Sequence, residues 1–245
     1  FDYVKDVFLK LDFGNSYRTG KPVFDDIFMR LPVSIKVAFL GMLLATVMGL
    51  PLGVLSAVKQ YSPADSFLRV ASTVLVAMPT FWLAMLLILV FALYLGWLPA
   101  GGALTWQSYI LPTITVGVPY GSKVLRMTRS TMLEEIRQDY VRTARSKGVP
   151  EKKVIYGHAL KNALLPVITT IGSAFGAILG GSVIAESVFN LPGLGSLIVL
   201  SIKAKDTPSV LASVLLLAVF FALIMLIVDL VYAFIDPRIK AKYAK

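Results

Sequence analysis

The chain has 245 residues, 57% of them hydrophobic and 16% charged, with a mean hydropathy of +0.77. That is about twice the apolar-to-charged ratio of an ordinary soluble domain, and it excludes a water-soluble globule. With no Cys and one His, His158, disulfides, thiol nucleophiles, iron–sulfur clusters and Cys zinc sites are excluded, and no metal or redox cofactor is expected. The net charge of +10, from 24 Lys and Arg against 14 Asp and Glu, is interpretable only from where the charges sit.

They sit in blocks. Uncharged runs extend from Val37 to Val58, Val70 to Ser122, Asn162 to Ala185 and Thr207 to Val228. An apolar helix needs about 20 residues to cross a bilayer core of about 30 Å, so the second run is long enough for two crossings. Five spans are predicted, near 33–58, 69–95, 108–128, 163–186 and 209–235. The second and third are separated by Gly96-Trp97-Leu98-Pro99-Ala100-Gly101-Gly102, a turn composition flanked by Tyr94 and Trp106, aromatics that favour the interface.

In chain order, residues 1–32 carry five basic and five acidic side chains, and residues 59–69 are +1. Residues 96–108 are uncharged, and residues 123–161 are +6. Residues 186–208 balance Lys203 and Lys205 against Glu186 and Asp206, and residues 236–245 are +3. Basic loops stay on the cytoplasmic side, so 59–69, 123–161 and the C-terminus are read as cytoplasmic and the three neutral segments as external. The excess charge is the positive-inside pattern, not a nucleic-acid surface, although the +6 segment could also face a partner or anionic lipid. An external start at Phe1 leads us to expect a further span upstream, six in all; a removed signal peptide would satisfy the topology equally well.

Prolines lie in or beside these spans at positions 51, 79, 112, 119 and 166, each removing a backbone donor. Gly49 and Gly53, Gly117 and Gly121, and Gly172, Gly176 and Gly180 recur every fourth residue, a smooth ridge that lets helix backbones approach closely. Lys36 and Asp229 are charged but close to the ends of their spans. Acids are absent from mid-membrane, which argues against a proton- or sodium-coupled transporter. Candidate path-lining positions are Met78, Pro79 and Trp82 at the Pro79 kink, and Ser173 on the Gly ridge, with packing the competing reading.

The stretch from Arg129 to Pro166 is longer than a turn between spans requires. Residues 131–147 place Leu133, Ile136, Tyr140, Val141 and Ala144 on one helical stripe. Gly148 then ends the helix, and a second short helix is predicted from Pro150 and Glu151. This would make a lever across the cytoplasmic face; the competing reading is a solvated loop.

Tyr140-Val141-Arg142-Thr143-Ala144-Arg145-Ser146-Lys147-Gly148, followed by His158-Ala159-Leu160-Lys161-Asn162-Ala163-Leu164-Leu165-Pro166, closely resembles the EAA loop of ABC importer permeases of the dipeptide, oligopeptide and nickel group. Three other segments resemble that group in the same order. They are Gly14 to Gly20 with Arg30-Leu31-Pro32, Phe189-Asn190-Leu191-Pro192-Gly193-Leu194-Gly195, and Asp236-Pro237-Arg238. Arg142 and Thr143 stand where the general pattern has Glu and Ala, and the interval from Gly148 to Pro166 is longer than in the shortest versions. Both departures resemble the peptide branch. The chain is more similar to the first than to the second of the two permeases that peptide systems pair.

The resemblance implies an all-α, polytopic type I ABC importer permease fold. Residues 1–32 form the outer segment and residues 33–245 the permease domain, with its coupling loop at 129–166. It implies a multi-pass inner-membrane subunit with a cytoplasmic C-terminus that moves dipeptides or oligopeptides inward; nickel or another small solute is the alternative. It also implies partners: a second homologous permease, two ABC ATPases and an external solute-binding protein. Ala144, Gly148, Glu151, Lys152, Lys153, Tyr156 and Gly157 would couple to the ATPase. Tyr17, Asn190, Pro192 and Gly193 would meet the binding protein.

No catalytic site is expected in the family, and the residues agree. Gly14 to Gly20-Lys21 has five intervening residues and is followed by Pro22, so it lacks both the spacing and the hydroxyl of a phosphate loop. An intramembrane enzyme would need a His at membrane depth, whereas His158 falls in the loop. A transporter acting alone would leave the basic lever unexplained.

Overall fold

Backbone polar groups in lipid must be satisfied within the segment that carries them, which favours helices. The computed structural model describes residues 13–235, and among these the regular structure is helical apart from one isolated antiparallel bridge between Asn15 and Pro22. Helix α1 spans Val23–Val58. Helix α2 spans Pro63–Ala77, and α3 spans Thr80–Leu87, continuing in π-helical turns over Ile88–Tyr94. A single 3-10 turn at Trp106–Tyr109 leads into α4, Ile110–Ile136. Helix α5 is Asp139–Ser146. A short α6, Glu151–Lys153, runs through π-helical turns at Val154–Ala159 into α7, Leu160–Val188. Helices α8, Leu194–Lys203, and α9, Thr207–Ile235, complete the described chain. The Asp236-Pro237-Arg238 motif and the side chain of Asp229 lie outside what is described.

Three helical runs among the described residues, Val23–Val58, Glu151–Val188 and Thr207–Val228, are long and apolar enough to cross a membrane, and the pair α2 and α3 qualifies if taken as one broken span. Helix α4, with 27 residues, has the length for a crossing at 1.5 Å per residue, but its second half is charged.

Five boundaries differ from the expectations. Helix α1 begins at Val23 rather than near 33, because Val23, Ile27 and Leu31 are buried at helical spacing and hold that stretch in a helix. The second span breaks at Met78, whose φ and ψ of −68° and 130° are extended, as the residue before a proline prefers. The stripe 131–147 is not one helix. The chain turns at Arg137 and Gln138, where Gln138 takes an extended backbone ahead of α5. The helix after Gly148 is not separate and short either, since it runs unbroken from Glu151 to Val188. Finally, the segment 186–208, expected as an outer loop, contains helix α8 with Leu194, Leu197 and Ile198 buried; its apolar run is too short to register as a span.

Contacts divide the chain into two units. Among the described residues, the first comprises 13–41, 79–116 and 176–223, and the second 42–78, 117–175 and 224–235. The segments read as external, 96–108 and 186–208 with the described part of 1–32, fall in the first unit. The basic loops 59–69 and 123–161 fall in the second.

The first unit has an apolar core of Phe13, Val23, Ile27, Leu31, Leu194, Leu197 and Ala212, with Phe13 stacked on Phe24. In the second, Gly49 and Gly53 let α1 lie directly on α4. A Cβ at Gly49 would strike the Gly121 carbonyl and Val124, and one at Gly53 would strike Thr128 and the Leu125 carbonyl. Gly172 similarly faces Val228 in the second unit, and Gly176 faces Phe221 in the first, whereas Gly180 has open space around it. The Gly ridge on α7 is therefore a packing surface at two of its three positions.

Gly53→Val should destabilise the second unit by about 1–3 kcal/mol, because the obstructing oxygen is backbone and cannot rotate away. Thermal unfolding in detergent is expected to show Tm lowered by about 3–10 °C for Gly53→Val, with Gly180→Val close to wild type.

Candidate functional site

The segment from Arg129 to Pro166 is built on a core, not suspended in solvent. Val141 and Ala144 of α5 pack with Val154, Ile155, Ala159 and Ala163 of the following helical run. The same cluster includes Val54 and Ala57 of α1 and Met132 of α4. Helix α5 ends in a Schellman arrangement. The Gly148 N–H donates to the Arg145 carbonyl at 2.9 Å, and the Val149 N–H donates to the Ala144 carbonyl at 3.2 Å. Gly148 has φ +74°, the left-handed conformation that a side chain disfavours. Across this joint the Arg145 guanidinium grips Glu151 at 2.7 and 3.1 Å. That contact holds the Glu151 carboxyl below its ordinary range. Both groups are largely exposed, so the pair aligns the joint more than it stabilises the fold.

Of the seven residues expected to couple, Ala144 is buried in the cluster and Gly148 forms the joint. Glu151, Lys152, Lys153, Tyr156 and Gly157 are all exposed, while Val154, Ile155 and Ala159 between them are buried. The helical run therefore presents a basic and aromatic face away from its packing side. Arg145 escaped the sequence reading; its signal was the spacing of Arg145 and Glu151 on either side of a predicted helix break.

Beneath this loop lies an acid that the sequence reading also missed. Asp65 has no exposed side-chain surface. Its carboxylate accepts from Ser56 Oγ at 2.5 Å and from Arg129 Nε and Nη2 at 2.8 and 2.9 Å. The Tyr61 N–H completes the set at 3.0 Å. Four donors fill the four lone-pair sites of a carboxylate and join α1, the following turn, α2 and α4.

The first unit holds two comparable acids. Glu186, fully buried, accepts from Ser182 Oγ at 3.0 Å and from the N–H groups of Gly195 and Ser196 at 2.7 and 3.2 Å. Ser34 Oγ accepts from the Leu194 N–H at 2.8 Å. These two side chains satisfy the free donors at the start of α8. Asp206 accepts from Ser16 Oγ at 2.5 Å, the Tyr17 N–H at 2.9 Å and Ser209 Oγ at 2.8 Å. Burial pushes the Asp206 carboxyl up, and those hydrogen bonds together outweigh it, leaving the pKa below its ordinary 3.8. The Gly102 N–H donates to the Phe189 carbonyl at 2.9 Å, so the Gly-rich hairpin also meets this region.

Tyr17, Asn190 and Pro192 are exposed here. Gly193 is not. It is buried against the Glu186 carboxylate and Ser34 Oγ, where a side chain would not fit, so it shapes the loop and offers no surface. Of the positions considered for a path, Pro79, Trp82 and Ser173 are exposed and Met78 is half-buried at the break.

The family model described as binding-protein-dependent transport system inner membrane component matches residues 49–241. The chain belongs to that family. It is similar to the glutathione transport system permease protein GsiC of Escherichia coli (strain K12), with 42% identity over 94% of this chain and 76% of that protein. GsiC of Salmonella typhimurium is likewise 42% identical, over 96% of this chain and 76% of its own length. Two solved structures are similar in fold at 17% identity. One is the MetNI methionine ABC transporter in an inward-facing conformation, with a TM-score of 0.71 over 86% of this chain and 96% of that one. The other, an amino acid ABC transporter with histidines, has a TM-score of 0.65 over 88% and 94%.

The fold is that of a type I ABC importer permease, and the chain is a non-catalytic, multi-pass inner-membrane subunit of such an importer. Its membership implies an ATPase and a solute-binding protein as partners.

Arg129→Met should cost about 3–5 kcal/mol by removing two donors and the close cation from buried Asp65, to which Arg69 comes only within 3.9 Å, whereas the paired change Asp65→Asn with Arg129→Met should recover much of that loss. Thermal unfolding of the three variants measures the difference. The tether of residues 14–22 to Asp206 has a defined pH response. Because the folded carboxyl titrates below 3.8, the stabilisation is complete above the unfolded value and disappears as pH falls through the folded one. The protection of the Tyr17 amide, taken relative to its intrinsic exchange rate at each pH, should therefore be high at neutral pH, fall in acid below about pH 3.8, and be low throughout in Asp206→Ala.

Proposed function

We propose that this permease moves small peptides inward, with tripeptides of the glutathione type as the first substrates to test. The observation that carries the substrate class is the extent of the similarity: 42% identity to glutathione transport permeases along 94% of the chain. The peptide-branch features of the EAA-like loop, Arg142 and Thr143 together with its length, support the same class. The complete importer would pair this chain with a second homologous permease, two ATPase subunits and an external binding protein. By the positive-inside distribution, loop 129–166 and the C-terminus face the cytoplasm.

The geometry supports a specific coupling route. Lys152, Lys153 and Tyr156 stand exposed at the start of a helical run that continues to Val188. A push by an ATPase on this end would travel into α7, whose first turns carry Pro166. Gly148 would let the run pivot against α5, while the Arg145–Glu151 pair and the apolar cluster would limit the motion to that pivot. On the other face, Tyr17, Asn190 and Pro192 would meet the binding protein.

A Cβ added at Gly148 would meet nothing within 4 Å, so Gly148→Val tests backbone conformation rather than fit, at a cost of about 1–2 kcal/mol. In liposomes carrying the full importer, wild type should accumulate glutathione or a dipeptide in an ATP-dependent manner. Gly148→Val, or Lys152→Glu with Lys153→Glu, should insert normally yet lose uptake at least tenfold, through weaker ATPase association or uncoupled hydrolysis. Wild-type levels of assembly, turnover and uptake in every variant would remove coupling from this loop. Uptake of nickel but of no peptide would overturn the substrate class.

A further inference from the structure

Helix α4 carries three basic residues on its last turns in the span and just beyond it, and they have different fates. Arg129 is committed to Asp65. Lys123 and Arg126, at i and i+3 on another face, form no ion pair with any described residue, and the Lys123 ammonium lies 4.6 Å from the Tyr120 ring centroid. Both lie where the span read at 108–128 overlaps the basic segment 123–161 read as cytoplasmic, and both are exposed, so they stand at the cytoplasmic end of the span, where a long cationic side chain reaches water.

They border an open cavity: exposed Lys123, Arg126 and Ser130 with Met127, all of α4, and Thr170 of α7 line a space of about 390 Å³ in the second unit that opens broadly to the surface. The Ser130 hydroxyl makes no hydrogen bond to the described residues, and Thr170 Oγ1 donates to the Pro166 carbonyl at 2.9 Å. The cavity thus combines a point charge, a planar fork of donors and an unengaged hydroxyl, with no acid in its lining. This is the donor set that an oxyanion requires, and the volume accommodates a carboxylate or phosphate with its neighbouring atoms.

We propose that Lys123, Arg126 and Ser130 form a binding site for an oxyanion group, supplied either by the carboxylate of the translocated solute or by the phosphate of an anionic lipid headgroup. The solute source rests on the peptide reading above; the lipid source does not.

The test uses the assembled importer with Lys123→Gln and Arg126→Gln combined, and Lys123→Arg with Arg126→Lys as the charge-preserving control. Glutathione uptake is measured in liposomes of phosphatidylcholine alone, and retention of added phosphatidylglycerol is measured by native mass spectrometry. A loss of uptake of at least tenfold in neutral lipid, rescued by the control, assigns the site to the solute. Loss of one retained phosphatidylglycerol, with uptake in neutral lipid unchanged, assigns it to the lipid. If neither quantity changes, the site does not bind an oxyanion. If wild type takes up no glutathione, the peptide reading fails on its own, and lipid retention alone decides the site: retention lost in the neutral variant supports it, and retention unchanged overturns it.

Discussion

A carboxylate with no exposed surface stays in a fold only where every lone pair is answered, and Asp65 meets that condition with donors from three parts of the chain. Its partners dictate much of the second unit. Ser56 precedes Ala57, and Arg129 lies one turn before Met132, so the apolar residues that pack against α5 and the helix after Gly148 are neighbours of the groups that hold Asp65. The glycines at 49 and 53 bring α1 and α4 close enough for this arrangement. A buried ion pair contributes little net stability against an apolar alternative. What it does here is enforce one register among α1, α2 and α4, since a displaced helix would leave a charge buried and unanswered.

The first unit uses the same physics with neutral donors. Glu186 answers the free N–H groups at the start of α8 and Asp206 holds the segment around Ser16 and Tyr17, so acids in segments of balanced charge serve as internal clamps. The short apolar helix α8 is thereby fixed at its N-terminus by Glu186 and Ser34 and on its side by Val23, Ile27 and Leu31. The exposed residues Tyr17, Asn190 and Pro192 stand on a framework held by these hydrogen bonds.

Function in such a permease requires a moving part between parts that do not move. The loop 129–166 has its underside in the apolar cluster, its one left-handed residue at Gly148 and its exposed cations on the helix beyond. In the proposed coupling route, backbone freedom concentrated at Gly148 and a helix continuing to Val188 would give the displacement a direction. The π-helical turns at Val154–Ala159 keep the run continuous where the sequence pattern predicts a separate helix.

Charge distribution and apolar run length, read from the sequence, determined the membrane class and the approximate positions of the spans, and the placement of glycines determined the ridges and the break at Gly148. These are properties of contiguous residues: a run of about 20 apolar side chains or a glycine after a helix has its meaning locally. The EAA-like motif carried the family by the same contiguity. Tertiary structure decided what depended on distant partners. Asp65 looked like one charge in a short loop until Arg129, 64 residues away, met it. Glu186 and Asp206 cancelled Lys203 and Lys205 in a loop count, yet neither acid is spent on those lysines. Gly193 read as an exposed turn and is buried because Glu186 folds back onto it. A side chain's burial and hydrogen-bond partners are fixed by which helices pack together, and that is a property of the assembled chain that no window of sequence contains.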